Sequence, residues 1–404
     1  MLLGVEVCAE IIIGDIIRGP LGSPCALNTK LGWILFGNIA QHIASEEFVV
    51  THHHVDVENM LKKMWEIETS DKNEYTKEEK LCEDLYNSSY YRTKDGRYIV
   101  QLPKKTATLL STEGETRNIA MKRLQMLEKR FTKDLKLKNE YIKVINEYLE
   151  NNHMEEVPNN EINKPSVYLP HHPVIREDKE TTKVRIVFDA SCKGTNNVSI
   201  NDELLVGPQL QEHMRKIIIR WRLKRICFVA DIQQMYRQIL VTQEDADFQR
   251  LLSRENSDEP VKDYRLLRVT FGTSCAPYLA VKTLHQVAND EGESNPEAAN
   301  IIKHNFFIDD LMSGRDTVED SINIAKEIKH ILEKGGFKLQ KWASNSAKFL
   351  NEFELSERSS HVNINIRVDG TIRALGLVWN MGNDQFQYDF QLPLSPETIT
   401  KGQS

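Results

Sequence analysis

The sequence predicts an α+β protein with an antiparallel central sheet. His304–Gly314 (HNFFIDDLMSG) opens with the apolar, β-favouring run Phe306–Ile308, and a second apolar pair follows two acids, so we expect a strand, a tight turn and a strand. The apolar run Ile226–Ala230 predicts a buried strand. Asn118–Glu150 and Thr317–Lys334 repeat apolar side chains at helical spacing, which predicts helices packed beside the sheet.

Composition sets broad limits. The chain has 404 residues, enough for about two or three domains, and its 40% hydrophobic and 27% charged residues are ordinary for a soluble globular protein. A net charge of −7 weakly disfavours a nucleic-acid partner, although a local field matters more than a total. Six scattered cysteines favour reduced thiols in an intracellular protein over disulfides or zinc. No apolar run approaches membrane-spanning length, so we expect no membrane association.

The acids at the centre of the first stretch suggest metal chemistry. Asp309 and Asp310 raise each other's pKa unless a cation lies between them, although so short a motif, taken alone, is more often an ordinary polar turn, and the segments upstream decide against that alternative. Asp231 directly follows the buried run Ile226–Ala230, where an acid is costly unless paired or metal-bound. Acids from different strands meet at a sheet edge, and Mg²⁺ prefers oxygen ligands. Two such ions about 3.5–4 Å apart would suit phosphoryl transfer.

Two basic segments lie upstream of these acids. In the predicted strand around Val184–Phe188, Lys183 and Arg185 share one face, which suits a polyphosphate or, more simply, a solvated strand face. RKIIIRWRLKR, Arg215–Arg225, interleaves cations with apolar residues and predicts a helix with one buried and one basic face. A phosphate-backbone contact and a plain surface helix are equal alternatives for this helix.

The segments RIVFDAS, ADIQQMYRQI, VTFGTSCAPYLA, FFIDD, GGFKLQKWASN and ALGLVWN, in that order, resemble the reverse transcriptases of Pao/BEL retroelements. The likeness covers residues from about 160 to 385. TKLGWILFG, Thr29–Gly37, resembles the segment that closes the retropepsin-like protease of the same polyproteins. The resemblance implies a right-hand polymerase with fingers, a palm with an antiparallel sheet and a truncated thumb, preceded by a short β remnant.

The resemblance also implies a division of the chain. Residues 1–40 would be the C-terminal remnant of the protease, and 41–95 a linker with a helix at Asn59–Glu68. Residues 96–225 would form the fingers and an N-terminal extension, with a further linker at 151–165. Residues 226–345 would form the palm, with 242–265 returning to the fingers. Residues 346–404 would hold the primer-grip hairpin and the start of the thumb or connection.

Residue roles follow from the same resemblance. Asp231, Asp309 and Asp310 would be catalytic and would bind two Mg²⁺ ions, with Mn²⁺ as the alternative ion. Tyr236 would exclude a 2′-hydroxyl by volume. Phe271 stands where many retroviral enzymes have Gln. The residues implied for dNTP binding are Lys183, Arg185, Tyr236, Phe271 and Gly272. Those expected to contact nucleic acid are Arg215, Lys216, Arg220, Arg222, Lys224, Leu375 and Gly376.

The implied partners are an RNA or DNA template with a primer, and dNTPs. In an intact element, protease, RNase H and integrase domains would accompany this portion; none is expected within this chain. An intracellular location follows, either in a cytoplasmic virus-like particle or in the nucleus.

An alternative is an inactive or domesticated remnant that at most binds nucleic acid. The missing protease start and short thumb favour it, but three carboxylates and Tyr236 oppose it, because a palm without chemistry has no need of a charged cluster. A purely structural protein does not explain the ordered segments.

Overall fold

The structure, a computed structural model, describes residues 11–18, 25–30, 32–36, 75–175, 184–359, 363–366 and 376–389. Its longer helices are α1 Lys77–Ser89, α2 Thr116–Phe131, α3 Leu135–Glu150, α4 Met214–Arg222, α5 Ala276–Glu291, α6 Pro296–His304 and α7 Val318–Lys334. Single α-helical turns lie at Ile200–Glu203, Gln243–Ala246 and Ala347–Leu350. Turns of 3₁₀-helix lie at Leu110–Glu113, Met235–Gln238, Asp247–Gln249 and Leu355–Glu357.

The strands belong to several small sheets. In chain order they are β1 Ile12–Arg18, β2 Cys25–Thr29, β3 Gly32–Phe36, β4 Tyr91–Arg92, β5 Tyr98–Val100, β6 Met154–Glu156, β7 His171–Ile175, β8 Val184–Phe188, β9 Ile226–Ile232, β10 Leu240–Val241, β11 Arg250–Ser253, β12 Lys262–Leu266, β13 Phe306–Phe307, β14 Asp310–Arg315, β15 Leu339–Ser344, β16 Asn363–Ile366, β17 Gly376–Asn380 and β18 Gln385–Asp389. The architecture is therefore mixed α and β, compatible with the predicted α+β class.

The central sheet has the order β13–β14–β9–β15, and every neighbouring pair is antiparallel. Because side chains alternate along a strand, β9 presents two different faces. Phe228, Ala230 and Ile232 belong to the main hydrophobic core, which also contains apolar residues of α5 and α7. Cys227 and Val229 belong to a second core formed with α4 and the β16–β18 sheet. Both faces of the central sheet are thus covered along most of their length.

The central strands and the helices predicted at 118–150, 215–225 and 317–334 are confirmed. Helices α2 and α3 occupy the predicted 118–150 region, and α7 begins after Thr317, whose hydroxyl accepts a hydrogen bond from the Asp320 amide. Helix α4 occupies most of the predicted basic helix. β9 extends past Ala230 to Ile232, so Asp231 lies within the strand.

Two segments expected to be linkers contain packed structure. In 41–95, α1 lies against α5: the Tyr86 hydroxyl donates to Thr283 Oγ1 at 3.0 Å, and Lys282 pairs with Glu83 at 2.6 Å. In 151–165, β6 pairs with β12, so this polar stretch completes a three-stranded sheet. The helix expected at Asn59–Glu68 lies outside the described residues.

The predicted strands of the N-terminal segment are confirmed where the structure describes them, since β1, β2 and β3 form an antiparallel sheet. Among the described helices, none combines the length and the apolar character needed to span a lipid bilayer.

Candidate active site

The register of the central sheet brings the predicted acids together. Asp310 of β14 lies directly opposite Asp231 of β9 in the antiparallel pairing. Directly opposite residues point to the same face, with Cβ atoms about 4.5–5.5 Å apart. This is the face that α4 covers further along, where Met312 pairs with Val229 in the second core. The two carboxylates therefore lie where this apolar cover ends, and both residues are half-buried.

Asp309 joins this pair through the turn between β13 and β14. Phe307 pairs with Asp310, so Ile308 and Asp309 form a two-residue turn. The Ile232 amide donates to the Asp309 carbonyl at 2.8 Å, which fixes the turn against β9. Ile308 has a φ of 56°, a left-handed conformation that is rare for a β-branched residue. Such strain costs about 1–3 kcal/mol and is typical of functional sites, where the surrounding structure holds it in place.

Asp231 is bound from the other side by β15. Gln340 Nε2 donates to Asp231 Oδ1 at 3.1 Å, and Lys341 Nζ donates to Oδ2 at 3.2 Å. Lys341 has a φ of 56° at an irregularity in the β15–β9 register, and its side chain is 60% exposed. An ammonium group thus provides positive charge beside Asp231 in this structure.

The residues implied for nucleotide binding cluster beside the acids. The Tyr236 and Phe271 ring centroids lie 4.5 Å apart, and the Arg185 guanidinium lies 4.2 Å from the centroid of Phe271. Burial raises the pKa of Tyr236 to about 12; the negative charge of Asp309 adds to this rise and the positive charge of Arg185 opposes it. Arg185, Phe271, Tyr236 and Asp309 therefore occupy one continuous neighbourhood.

Gly272 holds the β7–β8 hairpin against this neighbourhood. Its φ is 101°, and a Cβ placed on it would lie 2.3 Å from the Phe188 carbonyl oxygen. Asn201 Nδ2 donates to the Gly272 carbonyl at 2.9 Å. The backbone that approaches Gly272 is the end of β8, the strand that carries Arg185.

The basic residues of α4 differ in exposure. Arg215 and Lys216 are exposed, and Lys224 is half-buried with Asp316 at 4.0 Å. Arg220 donates to the His304 carbonyl and lies 3.5 Å from Glu212.

Arg222 differs from the prediction, because its side chain is 8% exposed and it binds the Asp384 side chain and, at 3.0 Å, the Asp384 carbonyl. Its guanidinium thus connects α4 to the β17–β18 hairpin instead of lying on the basic surface. Gly376 begins β17, whereas Lys183 and Leu375 lie outside the described residues.

Neither a scan against protein-family models nor a search of curated proteins finds a match for this chain. The assignment of a function therefore depends on the chemistry of the site.

Whether a metal ion fits the site depends on the carboxylates of Asp231, Asp309 and Asp310. No group of three or more His, Cys, Asp and Glu side chains within the described ranges is arranged to hold an ion. The amide of Gln340 and the ammonium of Lys341 are instead bound to Asp231. The donor set is nevertheless suitable for a hard divalent cation, because the register places two carboxylates opposite each other and a third at the adjoining turn.

Two contributors to the site were not predicted. Gln340 was overlooked because its contact with Asp231 depends on the pairing of β15 with β9, which short-range patterns do not encode. Lys341 was interpreted as a phosphate contact, a solvated lysine or a proton donor to the departing pyrophosphate, and not as a partner of Asp231. In the sequence, Lys341 directly precedes the apolar pair Trp342 and Ala343, which indicates that it lies near the end of a strand.

Proposed function

We propose that this chain is the polymerase portion of a retroelement reverse transcriptase, with a right-hand arrangement of fingers and palm. The observation that carries the proposal is the pairing of Asp231 with Asp310 across adjacent strands, beside Asp309, Tyr236 and Arg185. The reaction would be attack of a primer 3′-hydroxyl on the α-phosphate of a dNTP, directed by an RNA or DNA template.

The protein's own residues would act mainly by positioning and by charge. Arg185, held on the Phe271 ring, would bind the triphosphate, and a guanidinium is well suited to bidentate phosphate contacts. Tyr236 would lie beneath the sugar, where its ring, packed on Phe271, limits the space for a 2′-hydroxyl. The Tyr236 hydroxyl is neutral near pH 7, as that of an ordinary tyrosine with a pKa of about 10 is, and burial raises its pKa further to about 12, so it adds no negative charge near the phosphates.

The three acids would hold two Mg²⁺ ions, with Mn²⁺ as the alternative. When bound, divalent ions neutralise charge on the attacking and leaving oxygens of phosphoryl transfer. The acids contribute because their positions are fixed. The pairing of β9 with β14 holds Asp231 and Asp310, and the hydrogen bond from the Ile232 amide to the Asp309 carbonyl holds Asp309. The exposed Arg215 and Lys216 of α4 would contact the nucleic-acid backbone.

A primer-extension assay tests this proposal. The full chain, supplied with a primed RNA or DNA template, dNTPs and Mg²⁺, is expected to extend the primer. Asp310→Asn should lower the rate by roughly 10²-fold or more, since it removes charge at the reacting centre but keeps the shape. Asp258→Asn, an exposed acid between β11 and β12, is the matched control and should retain the rate.

The outcomes separate the polymerase from the alternative. Extension that disappears in Asp310→Asn and persists in Asp258→Asn supports the proposal. Template binding with no extension by the unaltered chain would instead support a remnant that only binds nucleic acid. Extension that survives Asp310→Asn would refute the role of the carboxylates.

A further inference from the structure

A cluster of basic side chains lies buried behind the candidate nucleotide site. Arg237, in the 3₁₀ turn after β9, is 3% exposed; Arg268, after β12, is 9% exposed; and His153, before β6, is 7% exposed. Neither arginine forms a salt bridge with a described residue. Burying a guanidinium without a carboxylate is costly, because the charge loses its hydration.

The donors of this cluster are largely unused. The Arg237 guanidinium carbon lies 4.5 Å from the ring centroid of Tyr148, 5.7 Å from that of Phe188 and 5.8 Å from that of Phe271. These rings cover its faces, yet Nε, Nη1 and Nη2 all lack a hydrogen-bond partner among the described residues. The same is true of Arg268 Nη1 and His153 Nδ1.

Contacts among neighbours show that these groups face one region. The His153 and Tyr148 rings lie 5.8 Å apart, so Arg237 and His153 contact the same ring. Arg268 Nε donates to the carbonyl of Asn152, the residue before His153, at 3.3 Å. At the rim, Arg97 Nη1 donates to Gln238 Oε1 at 2.5 Å.

The electrostatics are those of an uncompensated positive site. Burial, together with the positive charges of Arg237, Arg268 and Arg97, lowers the pKa of His153 to about 4. Burial also lowers the pKa of Arg268 to about 10, with Arg97 adding to the effect. An acid near this cluster, Asp95, lies 3.4 Å from Arg97, and its side chain is 69% exposed. Its negative charge therefore offsets the charge of Arg97 at the rim and not the charges of the buried arginines.

We infer that the basic cluster of Arg237, Arg268, His153 and Arg97 binds a small anion of the phosphate class. Guanidinium edges match two oxygens of a phosphate at once, and several charged hydrogen bonds would satisfy the donors that the protein leaves unused. The depth of the arginines restricts the ligand to a small ion and excludes a nucleic-acid backbone. The inference does not depend on the proposed reaction, whose triphosphate contact is Arg185.

Binding of inorganic phosphate and of pyrophosphate to the full chain tests this inference. Titration followed by ³¹P NMR and calorimetry, at constant ionic strength with chloride as the reference anion, should show saturable binding. Arg237→Met keeps an apolar body against the three rings and should raise Kd at least roughly tenfold. At ten times the Kd of the unaltered chain, phosphate should raise the melting temperature of that chain by about 2 °C and that of Arg237→Met by about 0.5 °C or less.

Two further variants decide where the anion binds. Arg254→Met is the matched control, because Arg254 already binds Glu128 through two hydrogen bonds elsewhere, and its Kd should match the unaltered chain. Arg185→Met should also retain phosphate binding; loss of binding there would place the anion at the nucleotide site and refute the inference. Absence of saturable binding by the unaltered chain would also overturn it. Arg268→Met provides the same test if Arg237→Met does not fold.

Discussion

The contact between Arg222 and Asp384 leads to a prediction about how the C-terminal hairpin is held. Asp384, between β17 and β18, accepts hydrogen bonds from Arg222 and from the indole of Trp379 at 2.9 Å. Trp379 is fully buried and packs edge-on against Trp221 of α4, with ring centroids 4.7 Å apart. Replacing Asp384 with Ala should therefore loosen the hairpin from α4.

The expected loss of stability follows from how deeply the two partners are buried. Breaking a fully buried ion pair costs about 3–5 kcal/mol, whereas an exposed pair contributes about 0.2–1 kcal/mol. Arg222 is 8% exposed but Asp384 is 37% exposed, so solvent screens one partner, and we expect Asp384→Ala to cost about 2 kcal/mol. Arg222→Met should cost about 1 kcal/mol or less, because methionine fills the space without leaving a buried charge. The double variant should be less stable than Arg222→Met by about 1 kcal/mol, because it also removes the acceptor of the Trp379 indole and of the Asn345 amide.

A double-mutant cycle measures this coupling. Hydrogen exchange of the β17 amides reports the opening of the hairpin, and tryptophan fluorescence during denaturant unfolding reports the chain as a whole. Glu352→Ala, which removes a half-exposed partner of Lys326, is the matched control and should change exchange little. Additive effects of the two substitutions, with no coupling, would refute the reasoning.

Other predictions concern single positions around the site. Lys341→Met should tighten divalent-ion binding to the chain by roughly 2–5-fold, as measured by calorimetry, because it removes a surface ion pair at Asp231 that a metal must displace. Tyr236→Ala should weaken discrimination against ribonucleotides by roughly tenfold or more in extension assays, whereas Tyr236→Phe should retain it. Ile308→Asn should change the unfolding free energy by less than about 1 kcal/mol in denaturant unfolding, since relief of the positive φ offsets the loss of an apolar side chain packed against both cores. Burial lowers the pKa of His171 to about 4, so the unfolded chain binds its proton first; this residue alone should lower the unfolding free energy by up to about 1.4 kcal/mol per pH unit from pH 6.5 toward 4, and the fall should be correspondingly less steep in His171→Gln.

The elements that the sequence predicts well are those with strong local patterns. Helices α2, α3 and α7 have regular apolar spacing and are confirmed close to the expected bounds. Helix α1 was missed, although Thr76 and Glu79 form a capping box that the T-x-x-E pattern displays in the sequence. Its charged residues suggested an exposed segment, and the contact with α5 that buries Cys82 and Tyr86 is a tertiary effect.

The geometry of the site is harder to obtain from sequence. The position of Asp231 next to a buried strand predicts that its carboxylate is paired or metal-bound. Its position opposite Asp310, however, depends on the register of β9 against β14. The contact of Asp231 with Lys341 depends in addition on an irregularity in β15. For Arg222 the sequence pattern gives the wrong exposure. Its place in a basic run predicts an exposed side chain, and only its contact with Asp384 of the β17–β18 hairpin explains why it is buried.

The placement of the acids favours chemistry over a purely structural role. Like charges directly opposite each other in a sheet are destabilising, and Asp231 and Asp310 are opposite each other. The strained Ile308 beside them adds a further cost. Lys341 offsets part of this cost at Asp231. An Asn in place of Asp310 would keep the shape of the strands and remove the repulsion. If Asp310→Asn makes the chain more stable and also abolishes extension, the two carboxylates oppose folding and serve the reaction.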